Sequence, residues 1–304
     1  MSELQPFIDR LVPLLGKLEG ETEPLEGGIT NRNYRATFAG GEHVIRLPGH
    51  DTELLGIDRA AEVAAASAAA ELGIAPPVSA LLEDPPCLVC AFVPGRQVTE
   101  EDLRGRALLE RLALTLARLH ATGGQTPRVA RFSPFRVVEQ YEATARGRGA
   151  SIPDDYARAH ACAARIEAAF TGADHEPVLC HNDLLAGNLL VHGDDVKIVD
   201  WEYAGMGDRW FDLGNLAVNN GLGPTEDERL LAAYLDRAPD DRQRATLALM
   251  RYMSDFRESM WGVVQGTVSD LDFDFGGYAR EHFERLAATG TDDRFPEWLE
   301  AAGS

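Results

Sequence analysis

The segment His181-Asn-Asp-Leu-Leu-Ala-Gly-Asn188 follows one short apolar run and precedes another, and a third such run, 196–199, leads directly to Asp200. Short apolar runs bounded by Gly and Asp are typical of strands, so residues 181–188 are predicted to form a loop between two strands. The loop contains Asp183 and Asn188. Carboxylate and amide oxygens held by a hairpin are ligands that Mg²⁺ prefers. We therefore expect a cluster of oxygen donors at this point of the fold.

The spacing of these residues is H-x-D-x-x-x-x-N, followed by an aspartate at the end of a strand. This is the catalytic layout of kinase-like phosphotransferases. In that layout a carboxylate accepts the proton of a substrate hydroxyl, which assigns Asp183 as the catalytic base. Asn188 and Asp200 are then predicted to hold Mg²⁺ against the triphosphate of ATP. His181 completes the catalytic segment, where we expect it to support the loop.

A β-hairpin is predicted upstream, from the alternating stretch 34–38 and the strand-like run 43–47. The glycines that precede it, Gly27-Gly28, predict a turn that lies over the ATP phosphates. Backbone N–H groups and the side chains of Thr30 and Asn31 would then act as donors. Glycine turns of this kind are common, so an ordinary turn remains the alternative.

Arg46 lies on the second strand of that hairpin, where kinases carry the lysine that contacts the α- and β-phosphates. Glu62, on the following helix, is the expected partner that holds it. A guanidinium group can bind phosphate oxygens in a bidentate manner. The alternative is an exposed arginine on an edge strand and a solvated glutamate.

The predicted elements divide the chain into a β-rich beginning and a mainly helical remainder. The predicted strands are the hairpin and the runs 78–82, 87–93, 177–180, 189–191 and 196–199, and the predicted helices are 3–18, 58–72, 99–123, 154–170, 226–237, 240–268 and 273–288. This order predicts an α+β fold with two lobes. We place the N-terminal lobe at 1–93 and the C-terminal lobe at 94–304, with a hinge at about 90–97.

The composition excludes several classes of protein. Among 304 residues, 29 Lys and Arg stand against 49 Asp and Glu, so the net charge is −20 and a basic surface for nucleic acid is not expected. No run approaches the 18 apolar residues of a membrane span, and the N-terminus has no secretory signal pattern. We therefore expect a cytoplasmic enzyme that acts on a small molecule and binds neither nucleic acid nor membrane.

The four cysteines do not form the framework of a small disulfide-rich protein. Cys87 and Cys90 make a single C-x-x-C motif, and Cys180 with His181 could in principle complete a zinc site. We favour the alternative that Cys87 and Cys90 are small apolar side chains on a strand.

The sequence resembles the choline/ethanolamine kinase branch of the aminoglycoside-phosphotransferase-like superfamily, and within it the bacterial choline kinases. The resemblance covers about residues 25–285, and it is carried by the stretches Gly28-Ile-Thr-Asn31, Val44-Ile-Arg-Leu47, 181–188, Ile198-Val-Asp-Trp-Glu-Tyr203 and Phe211-Asp-Leu-Gly-Asn215. It implies a bilobal protein-kinase-like fold with ATP between the lobes. The hinge would contain Cys90 and Phe92 and offer backbone groups to adenine, while Asp212 would support the catalytic loop.

The resemblance also implies an aromatic box for the ammonium group of a substrate. The candidates for the substrate site are Tyr203, Glu258, Trp261, Phe273, Phe275 and Tyr278. An aromatic face attracts a quaternary ammonium, which has no N–H donor, by a cation–π interaction. Glu258 stands where some relatives carry a second Trp, and its carboxylate would suit a primary or secondary ammonium equally well. The alternative is that these aromatic residues are ordinary core.

The predicted reaction is phosphoryl transfer from ATP to the hydroxyl of a small amino alcohol, with choline expected first. The alternatives within this class are ethanolamine, thiamine or a larger amino alcohol, and an aminoglycoside. From a different class, the chain could be a catalytically inactive pseudokinase that binds a ligand. The presence of Asp183, Asn188 and Asp200 argues against that alternative.

Overall fold

The first part of the chain forms an antiparallel five-stranded sheet, with the order β1-β2-β3-β5-β4, in the computed structural model, which describes residues 3–25, 31–49, 52–122, 129–170, 175–269 and 271–304. Its strands are β1 (Leu18–Leu25), β2 (Asn31–Phe38), β3 (Gly41–Pro48), β4 (Val78–Glu83) and β5 (Pro86–Ala91). The predicted hairpin is β2–β3, with Asn33 opposite Arg46.

One face of this sheet is apolar and packs against the first helix, α1 (Gln5–Leu15). Side chains alternate between the two faces of a strand, so Phe38 and Ile45 point to the same buried layer as Val89 of β5. Leu11 of α1 is fully buried against this layer. The opposite face of β3, which carries Arg46, is therefore turned toward the rest of the molecule.

Helix α2 (Arg59–Glu71) connects β3 to β4 and begins at a well-formed cap. The Asp58 carboxylate accepts hydrogen bonds from the backbone N–H groups of Ala60 (2.9 Å) and Ala61 (3.2 Å). The run of alanines continues the helix and lets it pack closely. This start fixes Glu62 in the first turn of α2, where it is 1% exposed.

Helices dominate the second part of the chain, and α9 lies at its centre. They are α3 (Glu100–Arg104), α4 (Arg106–His120), α5 (Pro134–Gly147), α6 (Tyr156–Ala169), α7 (Arg209–Asn219), α8 (Pro224–Leu235), α9 (Asp241–Val268), α10 (Phe275–Gly290) and α11 (Phe295–Ala302). Helices α5, α7, α10 and α11 pack against α9. Gly214 of α7 lies so close to α9 that an added Cβ atom would be 2.7 Å from the carbonyl carbon of Met250.

Five short strands surround the catalytic segment, residues 181–188. They are β6 (Arg96–Gln97), β7 (Val178–Cys180), β8 (Leu189–His192), β9 (Asp195–Ile198) and β10 (Gly205–Gly207). Strands β8 and β9 form an antiparallel hairpin, and β7 pairs with β10. Residues 181–188 therefore join β7 to β8, and Asp200 follows the end of β9, as the sequence predicts.

The predicted α+β architecture is confirmed, but several elements were missed or misplaced. Strand β1 was not predicted because its sequence, Leu-Glu-Gly-Glu-Thr-Glu-Pro-Leu, is acidic and has low strand propensity, which an exposed edge strand tolerates. Helices α5, α7 and α11 were missed as well. The helix predicted over 99–123 is two helices, because the chain turns at Gly105, which is extended.

The four cysteines are free thiols, and Cys87 and Cys90 lie on β5 as predicted. Burial raises the pKa of Cys90 to about 11. Among the helices of the described residues, none is both long and apolar enough to cross a membrane.

Candidate active site

The catalytic segment is held from below by α7, which the sequence analysis did not predict as a helix. The Asp212 carboxylate accepts hydrogen bonds from the backbone N–H groups of His181 (2.8 Å) and Asn182 (2.6 Å). His120 of α4 lies against the same carboxylate, with 3.1 Å between Nε2 and Oδ2. Asn182 has a left-handed backbone (φ +64°), which asparagine tolerates better than most residues. Asp212 therefore fixes the turn that precedes Asp183.

Two asparagines of the same region fix the rest of the segment. The Oδ1 atom of Asn215 accepts from the backbone N–H of Leu184 at 2.5 Å, and that of Asn220 accepts from Ala186 at 2.7 Å. Asn220 also donates to the carbonyl oxygen of Leu184 at 2.8 Å. These bonds satisfy backbone groups that a loop leaves unpaired, so the segment is held as a rigid turn.

His181 is fully buried and lies inside the turn. Its Nε2 is 3.0 Å from the carbonyl oxygen of Val199, and its Nδ1 accepts from the backbone N–H of Asp183 at 3.2 Å. This pair of bonds requires the neutral ring with the proton on Nε2, and burial lowers the pKa of His181 accordingly. His181 thus supports the loop from within the turn.

Asp183 is nearly buried, at 9% exposure, and both carboxylate oxygens have partners. Asn188 donates to Oδ2 at 3.0 Å, and Arg257 of α9 donates to Oδ1 at 3.2 Å. Burial raises the pKa of Asp183, and the positive charge of Arg257 opposes that rise. The carboxylate is therefore oriented on both sides and is more basic than an exposed aspartate.

Asn188 and Asp200, the two predicted metal ligands, line one cavity. The amide nitrogen of Asn188 donates to the backbone oxygen of Asp183 (2.9 Å) as well as to its carboxylate, so Oδ1 is the atom of that amide left to accept. Asp200 follows β9 in a left-handed conformation (φ +67°) and contacts Arg46 through Oδ1, which leaves Oδ2. Two hard oxygen atoms beside one cavity fit a Mg²⁺ ion.

The structure brings Arg46 and Glu62 together as predicted, and Nη1 of Arg46 lies 3.5 Å from Oε1 of Glu62. The guanidinium group also contacts Asp200 and lies 3.4 Å from Glu202. Burial alone would lower the pKa of Arg46, but the three carboxylates outweigh burial and raise it. Arg46 is therefore a permanent cation on the cavity wall. It lies on β3 and contacts carboxylates of α2 and of the segment after β9.

Thr30 lies outside the described residues, and Asn31 has a different environment from the one predicted. Asn31 is buried, and its amide nitrogen donates to Oε2 of Glu202 at 2.9 Å instead of facing the cavity. Arg59 contacts Glu202 (3.2 Å) and Glu62 (2.7 Å) from α2. Sequence reasoning assigned no role to Glu202 or Arg59, although Glu202 belongs to the stretch Ile198–Tyr203 that carries the family resemblance.

The cavity of about 340 Å³ lies between the sheet and the helical part of the chain. Its walls are mainly apolar, and they include Val44, Ala66, Leu88, Cys90, Phe92, Val93 and Leu190. The predicted hinge residues Cys90 and Phe92 thus line it. The N–H of Phe92 already donates to Glu42 (2.9 Å) and that of Ala91 to Pro77 (2.8 Å), so these two donors are not open to adenine.

The predicted aromatic residues form one cluster behind the catalytic segment. Trp261 donates through Nε1 to the Tyr203 hydroxyl at 2.9 Å, and its ring lies edge-on to Phe275 and Tyr278 at 5.9 and 5.5 Å between centroids. Phe273 is the exposed member, at 41%, and contacts Phe275 and Tyr278. The structure brings these residues together, largely packed on one another.

Glu258 is the acidic member of that cluster and is 2% exposed. Its Oε2 accepts from the Tyr278 hydroxyl at 2.7 Å, and its Oε1 contacts Arg257. Burial would raise the pKa of Glu258, but Arg257, His282 and Tyr278 hold it below the ordinary value. Sequence reasoning missed Arg257, because one arginine among several on a long helix carries no motif.

The chain is similar to known proteins both in sequence and in fold. Residues 21–247 match the family described as "Phosphotransferase enzyme family". The probable choline kinase 1 of Arabidopsis thaliana is 24% identical to the chain, over 87% of this chain and 85% of that protein.

Two solved structures share the fold over nearly the whole chain. A choline/ethanolamine kinase family protein from Mesorhizobium loti is 28% identical, with 98% of each chain covered and a TM-score of 0.83. LicA in complex with AMP is 20% identical and covers 95% of this chain and 99% of its own, with a TM-score of 0.75.

Proposed function

The chain belongs to the phosphotransferase enzyme family, and we propose that it transfers the terminal phosphoryl group of ATP to the hydroxyl of a small amino alcohol in the cytoplasm. The observation that carries the proposal is the arrangement of Asn188 and Asp200 on the wall of the apolar cavity, with Asp183 hydrogen-bonded to Asn188 at 3.0 Å. A proton acceptor, two metal-binding oxygens and a fixed cation are the parts that phosphoryl transfer needs.

In this proposal the nucleotide lies in the cavity between the predicted lobes, 1–93 and 94–304. The adenine contacts the apolar walls near Cys90 and Phe92, and the phosphates extend toward Arg46. Asn188 and Asp200 would hold Mg²⁺, which neutralises charge on the phosphates when bound. Glu62 acts through Arg46, because it holds the guanidinium group 3.5 Å away at the cavity wall.

Asp183 accepts the proton of the substrate hydroxyl as that oxygen attacks the phosphorus atom. Its two hydrogen bonds, from Asn188 and Arg257, fix the carboxylate plane before the substrate arrives. Its fixed position supplies most of the effect, because phosphoryl transfer depends chiefly on positioning and charge neutralisation.

The amino alcohol would lie on the other side of Asp183, toward Glu258, Trp261 and Tyr278. Choline is our first candidate and ethanolamine is the second. The buried carboxylate of Glu258 favours an ammonium with N–H donors, whereas the aromatic cluster favours a quaternary one. An aminoglycoside is the third candidate, and it would need a wider acidic groove than this cluster presents.

An ATP-consumption screen with Mg²⁺ tests the proposal against choline, ethanolamine, their N-methylated intermediates, thiamine and two aminoglycosides. We expect the highest kcat/KM with choline or ethanolamine. The Asp195→Asn variant, altered at the exposed first residue of β9, should behave as the wild type. ATP binding without turnover of any compound would contradict the proposal and favour a ligand-binding protein without catalysis.

A further inference from the structure

We propose that Arg257 is a positioning residue for the reaction, because it holds the carboxylate of Asp183, and that Tyr203 serves as the platform for Arg257. This inference rests on the proposed role of Asp183 as the proton acceptor. It changes the role of Tyr203, which the sequence analysis assigned to the ammonium group of the substrate.

The contacts of one guanidinium nitrogen carry the proposal. Nη1 of Arg257 lies 3.2 Å from Oδ1 of Asp183 and also contacts Oε1 of Glu258. A single donor nitrogen thus bridges the proposed proton acceptor and the proposed ammonium-binding carboxylate. Displacement of this nitrogen releases Oδ1 of Asp183, whereas Glu258 keeps the hydrogen bond from the Tyr278 hydroxyl to its Oε2 at 2.7 Å.

One face of the same guanidinium is covered by an aromatic ring. The central carbon of Arg257 lies 4.3 Å from the centroid of the Tyr203 ring, within the range of a cation–π interaction. Nε and Nη2 are buried and make no hydrogen bond of good geometry within the described residues, so the ring face is the surface on which the cation rests. That face is occupied, and it is closed to a second cation.

The burial of Arg257 indicates a role beyond stability. Its side chain is 1% exposed, at the middle of α9, where an apolar residue would pack without loss of hydration. Buried ion pairs often stabilise a fold no better than well-packed apolar residues, and fixing a geometry is one recognised use of such a pair. Here the geometry that Arg257 fixes is that of Asp183.

Four variants and a control test the proposal by the split between kcat and KM. Arg257→Met removes the charge, Arg257→Lys keeps the charge without the planar fork, Tyr203→Leu removes the ring, and Tyr203→Phe keeps it. Arg251→Met is the matched control, because Arg251 lies on the same helix and pairs with Asp227 away from the site. Each is measured with choline and ethanolamine, and also with water as the acceptor of slow ATP hydrolysis.

We expect Arg257→Met and Tyr203→Leu to lower kcat by about 10²-fold, the loss that a displaced catalytic group produces, with little change in KM for either alcohol. Arg257→Lys should recover part of this loss, and the control Arg251→Met should keep the wild-type kcat. Tyr203→Phe should lose less kcat than Tyr203→Leu, because it keeps the ring and lacks only the hydroxyl that accepts from Trp261. If Arg257→Met does not fold, Arg257→Lys and Tyr203→Leu give the decisive values, since neither leaves a buried carboxylate without a cation.

Two results would overturn the proposal. One is wild-type kcat in Arg257→Lys and Tyr203→Leu, and the other is a rise in KM for choline alone in Tyr203→Leu, which would return Tyr203 to the ammonium site. Hydrolysis separates this test from that of the proposed function. If the wild type hydrolyses ATP through Asp183 but phosphorylates no amino alcohol, the proposed substrate is wrong. The hydrolysis rates of the variants then still test the role of Arg257.

Discussion

Arg46 and Arg257 are both guanidinium groups that bridge carboxylates, but Arg46 is partly exposed, Arg257 is fully buried, and their surroundings differ. Arg46 joins three parts of the chain and lines an open cavity. Arg257 joins Asp183 to its own neighbour Glu258, and an aromatic ring covers it. In the proposed function, the nucleotide side of the site is thus open and preformed, whereas the alcohol side is closed and its charges are paired. Under this proposal, substrate choice depends on the closed side.

The largest effect expected is on the carboxylate between the two sides. Asp183→Asn keeps the shape and removes the proton acceptor, so kcat should fall on the order of 10²- to 10⁴-fold. The dissociation constant of ATP, measured by calorimetry, should stay near that of the wild type. Asp195→Asn is the control, because Asp195 is exposed. Wild-type turnover in Asp183→Asn would remove this residue from its role.

Arg46 tests the open side. Arg46→Met should raise the KM for ATP about 10- to 100-fold, because a hydrogen bond to a charged group contributes ~1.5–3 kcal/mol. It should also lower the melting temperature, since Asp200, Glu62 and Glu202 lose their shared cation. Arg32→Met, at an exposed ion pair with Glu3, serves as the control. An unchanged KM for ATP would contradict the assignment of Arg46 to the phosphates.

Glu258 tests the closed side. Glu258→Gln should raise the KM for the amino alcohol about tenfold and leave that for ATP unchanged, because the lost charge–ammonium contact is worth ~1.4 kcal/mol. The rise should be larger for ethanolamine than for choline, which has no N–H donor. Glu284→Gln, at an exposed position of α10, is the control. Equal changes for ATP and the alcohol would place Glu258 in the core instead of the substrate site.

The smallest effect concerns the packing that supports both sides. Gly214→Ala should lower the free energy of unfolding by about 1–3 kcal/mol, because its Cβ atom would overlap the backbone of Met250. The displacement of α7 should also loosen the turn that Asp212 holds. Gly266→Ala is the control, since its Cβ atom would meet nothing closer than 3.8 Å. Chemical denaturation of the two variants measures the difference, and equal stabilities would contradict this packing.

The open side was the easier one to predict from the sequence. Asp183, Asn188 and Asp200 occur at a characteristic spacing, and Arg46 and Glu62 lie on the strand and helix where they were predicted. The structure brings Arg46, Glu62, Asn188 and Asp200 to one cavity, with Asp183 hydrogen-bonded to Asn188. The resemblance to the choline/ethanolamine kinase family and the bilobal α+β fold were both confirmed. Local sequence is sufficient there because the chemistry itself requires the spacing.

The closed side depends on contacts between distant segments, which spacing does not reveal. Arg257 meets Asp183 only because α9 packs beside the catalytic segment, and Tyr203 reaches it from the chain after β9. Asn31 was predicted to face phosphates, yet its amide bonds to Glu202, 171 residues away in sequence. Such pairings are set by tertiary packing, so the structure is needed to find them.

The central claim is most directly tested by ³¹P NMR of ATP, Mg²⁺ and an equimolar mixture of choline and ethanolamine, with wild type and Asp183→Asn in parallel. We predict that the wild type produces a phosphomonoester resonance of an amino alcohol together with ADP, and that Asp183→Asn leaves the spectrum of ATP unchanged over the same time. Release of inorganic phosphate alone, or the same phosphomonoester from Asp183→Asn, would contradict the account.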